Sequence, residues 1–167
     1  GLFPTWAANA IQDKARELFK PPETGCETLP LCLVDGLDAD VADRLAEIGI
    51  SDIQHLACSN PAELVLKSLF PTNRVVDWID QAILITYVRN HIATFRQLGV
   101  RSAIELALLY QDYVQGSGEG PAEQQARQNR AKSTVTALAQ KTNLPADTIL
   151  IVGRYLYEDS NVKAIWR

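Results

Sequence analysis

The chain contains 167 residues, of which 47% are apolar and 22% charged, so its composition is that of an ordinary globular domain. The formal net charge of −4 argues against a general binder of polyanions, because affinity for phosphate groups comes from Lys and Arg. Three cysteines without C-x-x-C spacing argue against a disulfide framework or a zinc site and favour reduced thiols in the cytoplasm.

The absence of methionine predicts a domain excised from a longer protein. The longest apolar run, residues 82–88, is far shorter than the roughly 20 residues of a membrane-spanning helix. We therefore expect a cytoplasmic location, or the soluble part of a membrane-anchored parent. Membrane contact would then occur only through a part of the parent that this sequence lacks.

Helical patterns follow one another from the start of the chain. Residues 4–19 form the first pattern, and two consecutive prolines end it because proline cannot continue a helix. The short apolar stretch 29–34 is interpreted as a buried connector. Asp38 is predicted to cap the next helix, which ends where Gly49 supplies a left-handed residue.

Two further helix starts follow closely. Ser51 and Gln54 have the spacing of a capping box, which predicts a short helix behind them. Asn60 repeats this start signal, with Pro61 at the first helical position.

The longest helix is predicted for residues 72–98, and it ends at Gly99. Ser102 and Glu105 form another capping box, which opens a helix through Tyr113.

The glycine-rich residues 115–121 predict a flexible linker. A polar helix over residues 122–141 and a final helix over 145–158 follow, with Asn143 as the left-handed residue between them.

One helix–turn–helix pattern occurs twice. Residues 45–57 and 95–107 align without a gap at an offset of 50 residues. Short turns between amphipathic helices imply antiparallel neighbours, so we predict an all-α, compact multi-helix bundle. Its predicted parts are an N-terminal helix and connector (residues 1–28), a repeat core (29–114), a flexible linker (115–121) and a C-terminal helical hairpin packed on the core (122–167).

Residues 34–50 read Val-Asp-Gly-Leu-Asp-Ala-Asp-Val-Ala-Asp-Arg-Leu-Ala-Glu-Ile-Gly-Ile. Together with the proline-started helix that follows, this segment resembles the helix-hairpin-helix (SAM-like) superfamily. Residues 90–114 and 138–156 are similar to it more loosely. The resemblance implies a diverged tandem helix-hairpin-helix module of the kind found in bacterial proteins, so the bundle would contain tandem units of this type.

The resemblance does not imply that this chain binds DNA. In DNA-binding members a Gly-x-Gly hairpin presents backbone N–H groups to a phosphate. Here Asp38 stands in place of the second glycine, and Asp40 and Asp43 follow in place of basic residues. Three carboxylates would repel a phosphate, whereas they suit the positive end of the helix's own dipole.

Charge differs between two stretches of the chain. Residues 36–66 hold six acids and one arginine, whereas residues 67–101 hold five bases and two acids. We interpret these stretches as an acidic face and a basic face that mediate self-association or partner docking, with simple solvation as the alternative.

No catalytic or metal-binding motif is recognisable. Asp77 and Asp80 lie one helical turn apart and could bind a cation or share a proton, but no histidine or third carboxylate has a supporting spacing. We interpret them as an exposed acidic stripe. His55 and His91 lack a partner four residues away. We therefore expect no enzyme, no cofactor and no metal.

These observations predict a non-catalytic helical module for protein interaction or self-association. The candidate partner-binding residues lie on the predicted long helix and are Asp77, Trp78, Asp80, Arg89 and Arg96. The alternative is nucleic-acid binding through the basic side of residues 67–101. Its candidate residues are Arg74, Arg89, Arg96 and Arg101.

Overall fold

The computed structural model describes residues 29–165. The helix predicted for residues 4–19 and the N-terminal region predicted for residues 1–28 lie outside the described residues. Within 29–165 the regular secondary structure is entirely helical, which confirms the all-α class. The α-helices are α1 (Ala39–Glu47), α2 (Ile53–Ala57), α3 (Pro61–Ser68), α4 (Thr72–Val88), α5 (Ile92–Gln97), α6 (Ala103–Val114), α7 (Pro121–Thr142), α8 (Ala146–Glu158) and α9 (Ser160–Ile165). The connector at residues 29–34 contains a 3₁₀ turn, Leu31–Leu33.

The two predicted glycine turns have the same backbone geometry. Gly49 ends α1 with a φ of +89°, and the N–H of Ile50 donates to the carbonyl of Leu45 over 2.9 Å. Gly99 ends α5 with a φ of +83°, and the N–H of Val100 donates to the carbonyl of Phe95 over 2.9 Å. Both patterns are Schellman motifs, in which glycine supplies the left-handed residue after the helix.

The second helix of each copy begins with a side-chain cap at the same repeat position. The carboxylate of Asp52 accepts from the N–H of His55 over 2.8 Å, so Asp52 caps α2 and the prediction of Ser51 was wrong by one residue. The hydroxyl of Ser102, fifty residues later, accepts from the N–H of Glu105 over 3.3 Å and confirms the predicted cap of α6.

The predicted long helix over residues 72–98 is interrupted. It stops at Val88, continues as a 3₁₀ turn at Arg89–His91, and resumes as α5. Arg89 has a φ of +43°, which a continuous helix cannot contain. At the offset of 50, position 89 corresponds to the first residue of α1, so the break lies where the second copy begins. The longest described helix is α7, with 22 residues.

The predicted linker is hydrogen-bonded to both helices that it connects. The N–H of Ser117 donates to the Asp112 carboxylate over 3.0 Å, and the Gln124 side chain donates to the carbonyl of Gly118 over 3.1 Å. The backbone carbonyl of Gln124 occupies the space that a side chain at Gly116 would need. These contacts describe a turn at residues 115–121 that is hydrogen-bonded to both neighbouring helices.

One apolar core joins the two copies and the C-terminal helices. The equivalent repeat positions are buried in both copies, as Leu45, Ile53 and Leu56 in the first and Phe95, Ala103 and Leu106 in the second. In the first copy α2 packs against α4, whereas in the second α6 packs against α7 and α8. Gly153 allows the close approach of α8 to α6, since a Cβ atom there would lie 2.9 Å from the Cβ of Tyr110.

Candidate interaction surfaces

A buried glutamine connects the first copy to α4. Gln81 has no solvent-exposed surface, and its Oε1 accepts from the N–H of Asp35 over 2.9 Å. Its Nε2 donates to the carbonyl of the same residue over 3.3 Å and to Asp77 Oδ2 over 2.9 Å. The sequence analysis missed this residue. The available signal was a single amide among the apolar residues between Ile79 and Val88.

Arg96 connects the second copy to the same point. Its guanidinium donates to the carbonyl of Leu33 over 2.7 Å and to Gln81 Oε1 over 3.1 Å, and it lies 3.1 Å from a carboxylate oxygen of Asp35. The side chain is 21% exposed. Arg96 therefore joins the connector, α4 and α5 within one molecule.

The two acidic residues of α4 have different environments. Asp77 is partly exposed and pairs with the guanidinium of Arg101. Asp80 is buried and accepts from the N–H of Ile104, in the first turn of α6, over 3.0 Å. The interpretation of an exposed acidic stripe is therefore wrong for Asp80, because this carboxylate satisfies a backbone donor of the second copy.

Burial is the main influence on the pKa of Asp80. The loss of solvent raises the pKa of this carboxyl above its usual value of 3.8, because the charged form loses hydration. Hydrogen bonds from the Ile104 N–H and the Ser102 hydroxyl oppose this rise, while the nearby charges of Asp77 and Glu105 add to it. Asp80 is a structural cap in a low-dielectric position.

The remaining candidates of the sequence analysis also contact the fold itself. Trp78 is 1% exposed and packs edge-on against Phe70, with ring centroids 5.2 Å apart, so it is a core residue in this structure. The guanidinium of Arg74 lies 5.2 Å from the centre of the Trp78 ring. Arg89 lies at the helix break, with its Nε buried and without a hydrogen-bond partner among the described residues.

Two of the four arginines predicted to bind nucleic acid are therefore already paired within the chain. Arg96 and Arg101 are paired with Asp35 and Asp77, and they lie in the joint between the two copies. At the hairpin itself, the carboxylate of Asp38 accepts from the N–H of Val41 over 2.9 Å. This backbone donor, which a phosphate would require, already has an intramolecular acceptor.

An apolar tip is exposed at the end of α3. We define it as Leu66 and Leu69, whose residues are 79% and 83% exposed. Leu69 has a φ of +59°, a left-handed conformation that costs a residue with a side chain roughly 1–2 kcal/mol. Arg44 of α1 lies 4.7 Å from the ring centre of Phe70, the residue that follows the tip, so α1 is adjacent.

A groove of about 640 Å³ lies between α6 and α7, and we call it the α6–α7 groove. Its apolar lining includes Leu98, Val100, Leu108, Leu109, Ala126 and Ala131. Glu105 and Asp112 line the side of α6, and Glu123, Arg127 and Arg130 line the side of α7, where Arg127 pairs with Glu123. Leu108 is 43% exposed, so the apolar lining is accessible from solvent.

A smaller groove of about 260 Å³ lies at the corresponding place in the first copy. Ile48, Ile50 and Cys58 line it, and they are the repeat equivalents of Leu98, Val100 and Leu108. The difference arises from α7, which forms one wall of the α6–α7 groove. The repeated turn thus forms two different surfaces.

The charge of the described helices is concentrated in α1 and α7. Residues 38–47 hold four acids and one arginine, and the four carboxylates belong to exposed residues. Residues 121–142 hold four bases and one acid, again at exposed positions. The acidic face agrees with the sequence analysis, but the strongest basic helix is α7, which the analysis described only as polar.

Two classes of site receive no support from the described residues. Within 29–165, no group of three or more His, Cys, Asp or Glu side chains is arranged to hold a metal ion. None of the helices in the same range is both long enough and apolar enough to cross a membrane.

The comparisons with known proteins give one partial match. The chain is 38% identical over 49 residues to the poly(3-hydroxyalkanoate) polymerase subunit PhaC of Haloferax mediterranei. The match covers 29% of this chain and 10% of the polymerase subunit, so the chain spans a small part of that protein's length. No family model matches the chain, and no solved structure matches it.

This match corrects one prediction of the sequence analysis. The lack of a recognisable catalytic motif led us to expect that the chain is not an enzyme, and the partial likeness to a polymerase subunit contradicts that expectation. The error has a physical reason, since a search for catalytic motifs detects reacting groups and cannot detect a likeness between helical segments.

Proposed function

We propose that this chain is a helical self-association module that works as part of an enzyme polypeptide or an enzyme complex. The observation that carries the proposal is the apolar tip. Leu66 and Leu69 expose most of their surface, and neither contributes substantially to the core of its own molecule. Apolar side chains that are exposed at a strained position stabilise the protein only when another surface covers them.

The likeness to a polymerase subunit supports the enzymatic context of this proposal. A segment of that protein, equal to a tenth of its length, is similar to 49 residues of this chain. A module that brings copies together would hold the catalytic parts of such an enzyme in one assembly. We place this assembly in the cytoplasm, where the exposed thiols of Cys32 and Cys58 would stay reduced.

The repeated turn supports the accompanying family assignment. We propose a diverged tandem helix-hairpin-helix module, because both glycine turns have the same Schellman hydrogen bonds and both following helices have a cap at the equivalent residue. Protein association is favoured over nucleic-acid binding in this module, because Asp38 occupies the hairpin donor and Arg96 and Arg101 are paired.

Sedimentation velocity of the 167-residue chain over a thousandfold range of concentration tests the proposal. We expect the weight-average sedimentation coefficient to rise with concentration. A coefficient that stays at the monomer value throughout this range would overturn the proposal. A parallel titration with duplex DNA at two salt concentrations provides a second test, since tight binding that weakens steeply with salt would favour the nucleic-acid alternative.

A further inference from the structure

We infer that the surface that covers the apolar tip is the α6–α7 groove of a second copy of this chain. The inference rests on the proposed function and names both contacting surfaces. The tip belongs to the first repeat copy and the groove to the second. Both are open in the structure, as the exposure of Leu66, Leu69 and Leu108 shows.

The apolar parts of the two surfaces match in character and size. The tip offers two leucine side chains from the end of a helix, and the lining of the groove is apolar along Leu98, Val100 and Leu108. A volume of about 640 Å³ lies in the range of cavities that take a drug-sized ligand, so it accommodates two leucine side chains.

The charges around the two surfaces are complementary. α1, which lies beside the tip, carries four acids and one arginine when its N-cap Asp38 is included, whereas α7 carries four bases and one acid. Arg127 and Arg130 of α7 line the groove directly. Docking of the tip would bring the acidic α1 of one copy towards the basic α7 of the next, and such complementarity guides association and fixes orientation.

The helix α3, which ends in the tip, carries both signs of charge, as does the groove. Glu63 and Lys67 flank Leu66 on the exposed side of α3 and pair with each other. In the groove, Glu105 and Asp112 lie on α6, whereas α7 contributes Arg130 and the ion pair of Arg127 with Glu123. One orientation therefore places Glu63 against Arg130 of α7 and Lys67 against Glu105 and Asp112 of α6.

The tip and the groove belong to different parts of the fold, which is why we expect the contact to form between two molecules. α7 packs against α5, α6 and α8, whereas the tip lies at the end of α3, which packs on α4. A docked pair of this kind is heterologous, because different surfaces of the two copies meet. Each pair therefore retains one unused tip and one unused groove, unless a ring closes.

This asymmetry permits a mixing experiment. The tip variant carries Leu66→Ser and Leu69→Ser, and the groove variant carries Leu108→Glu, which adds a carboxylate beside Glu105 and Asp112. The control is Val114→Ser, which removes another apolar side chain that is 50% exposed and lies outside both surfaces. Molar mass is measured by light scattering after size exclusion, and folding is checked by thermal melting.

We expect the wild type and the control to associate alike, and each surface variant alone to be monomeric. An equimolar mixture of the two surface variants has one intact tip and one intact groove, so it should form a 1:1 heterodimer and nothing larger. If Leu108→Glu fails to fold, Ala126→Trp, at an exposed position on the α7 side, blocks the groove instead.

The outcomes distinguish this inference from the proposed function. A wild type that associates while either surface variant associates equally well would overturn the inference alone. The same holds if the mixture remains monomeric. A wild type that is monomeric at every concentration would overturn the proposed function as well.

Discussion

The two glycine turns of this protein have the same backbone and different surroundings. At Gly49 the turn is followed by α2 and α3, two short helices that pack on α4. At Gly99 it is followed by the single helix α6, on which α7 and α8 pack. The first copy therefore ends in an exposed tip, whereas the second copy lies at the centre of the C-terminal helices.

The difference shows that the turn motif determines the direction of the chain but does not determine which surface the following helices form. The hydrogen bonds of Leu45 and Phe95 at the two turns are equal in length, so the turns themselves do not distinguish the copies. Asn60 does so. It caps a new helix in the first copy, and its repeat equivalent, Tyr110, lies inside the continuous α6.

The largest expected effect comes from cavities at equivalent core positions. Leu56 and Leu106 are separated by the repeat offset and are 0% and 1% exposed. Truncation of either to alanine should lower the free energy of unfolding by about 3 kcal/mol, measured by urea denaturation, because each change removes packed methyl groups and leaves a cavity.

Equal losses with a single transition would show that both copies belong to one cooperative unit. Two separate transitions in Leu56→Ala, with the second unchanged from wild type, would show that the first copy unfolds by itself. Leu66→Ala, at an exposed leucine of the tip, is the matched control and should leave the free energy of unfolding nearly unchanged.

A second prediction compares the caps of the two copies. Asp52 caps α2 from the adjacent residue, whereas Asp80 reaches the N–H of Ile104 in α6 from α4. Asp80→Ala should cost about 2 kcal/mol of unfolding free energy, because it leaves the partly buried N–H of Ile104 without its acceptor, and Asp52→Ala about 1 kcal/mol. Chemical denaturation of both variants at one pH measures the difference, and a larger loss for Asp52→Ala would contradict it.

A third prediction concerns the pH dependence of the Asp80 cap. Its pKa in the folded protein is raised above 3.8 by burial, so the folded state binds more protons than the unfolded state between these two values. The part of its contribution to stability that comes from this raised pKa is fully present below pH 3.8 and is lost as the pH rises through the raised pKa. Asp80→Asn does not titrate, so its stability relative to wild type should increase with pH across this window.

The free energies of unfolding of wild type and Asp80→Asn, measured at several pH values from 3.5 to 7, provide the test. Asp40→Asn, at an exposed carboxylate of α1, is the control. If the free energies of unfolding of wild type and Asp80→Asn differ by the same amount at every pH, Asp80 is not the buried group that titrates.

The local signals in the sequence were sufficient for most helix ends. Glycine and asparagine at left-handed positions, and Asp38, Asn60 and Ser102 as caps, act through their own backbone neighbours. The break at Arg89 was not predictable from apolar spacing, because the apolar residues before and after it continue the same helical pattern. Only the repeat offset marks that position.

The candidate site was much less predictable. The exposed side of α4 cannot be identified from that helix alone, since α2, α3 and α6 all pack on it. This explains why Trp78 and Asp80, predicted to face a partner, are buried. The α6–α7 groove depends on the packing of two helices separated by the linker, a tertiary relation that no local pattern contains.

A fourth prediction tests whether the two turns are energetically equal. Gly49 and Gly99 both have a left-handed φ, and a Cβ atom added at either would meet no other atom within 4 Å. Gly49→Ala and Gly99→Ala should therefore each lower the free energy of unfolding by about 1 kcal/mol, through backbone strain alone. Losses that differ by more than about 1 kcal/mol in thermal or urea unfolding would show that the turns differ in ways that their hydrogen bonds do not reveal.

The smallest effect is expected at Leu69, which has a left-handed φ of +59° without being glycine. Leu69→Gly relieves that strain but increases the entropy of the unfolded chain, so a net gain of about 0.5 kcal/mol in the free energy of unfolding is expected. The same variant removes half of the apolar tip, and self-association should weaken although the fold becomes more stable. Loss of both stability and association would instead identify Leu69 as a packing residue of the monomer. Opposite changes, measured by urea denaturation and sedimentation velocity, would separate the role of the tip in association from any role in folding.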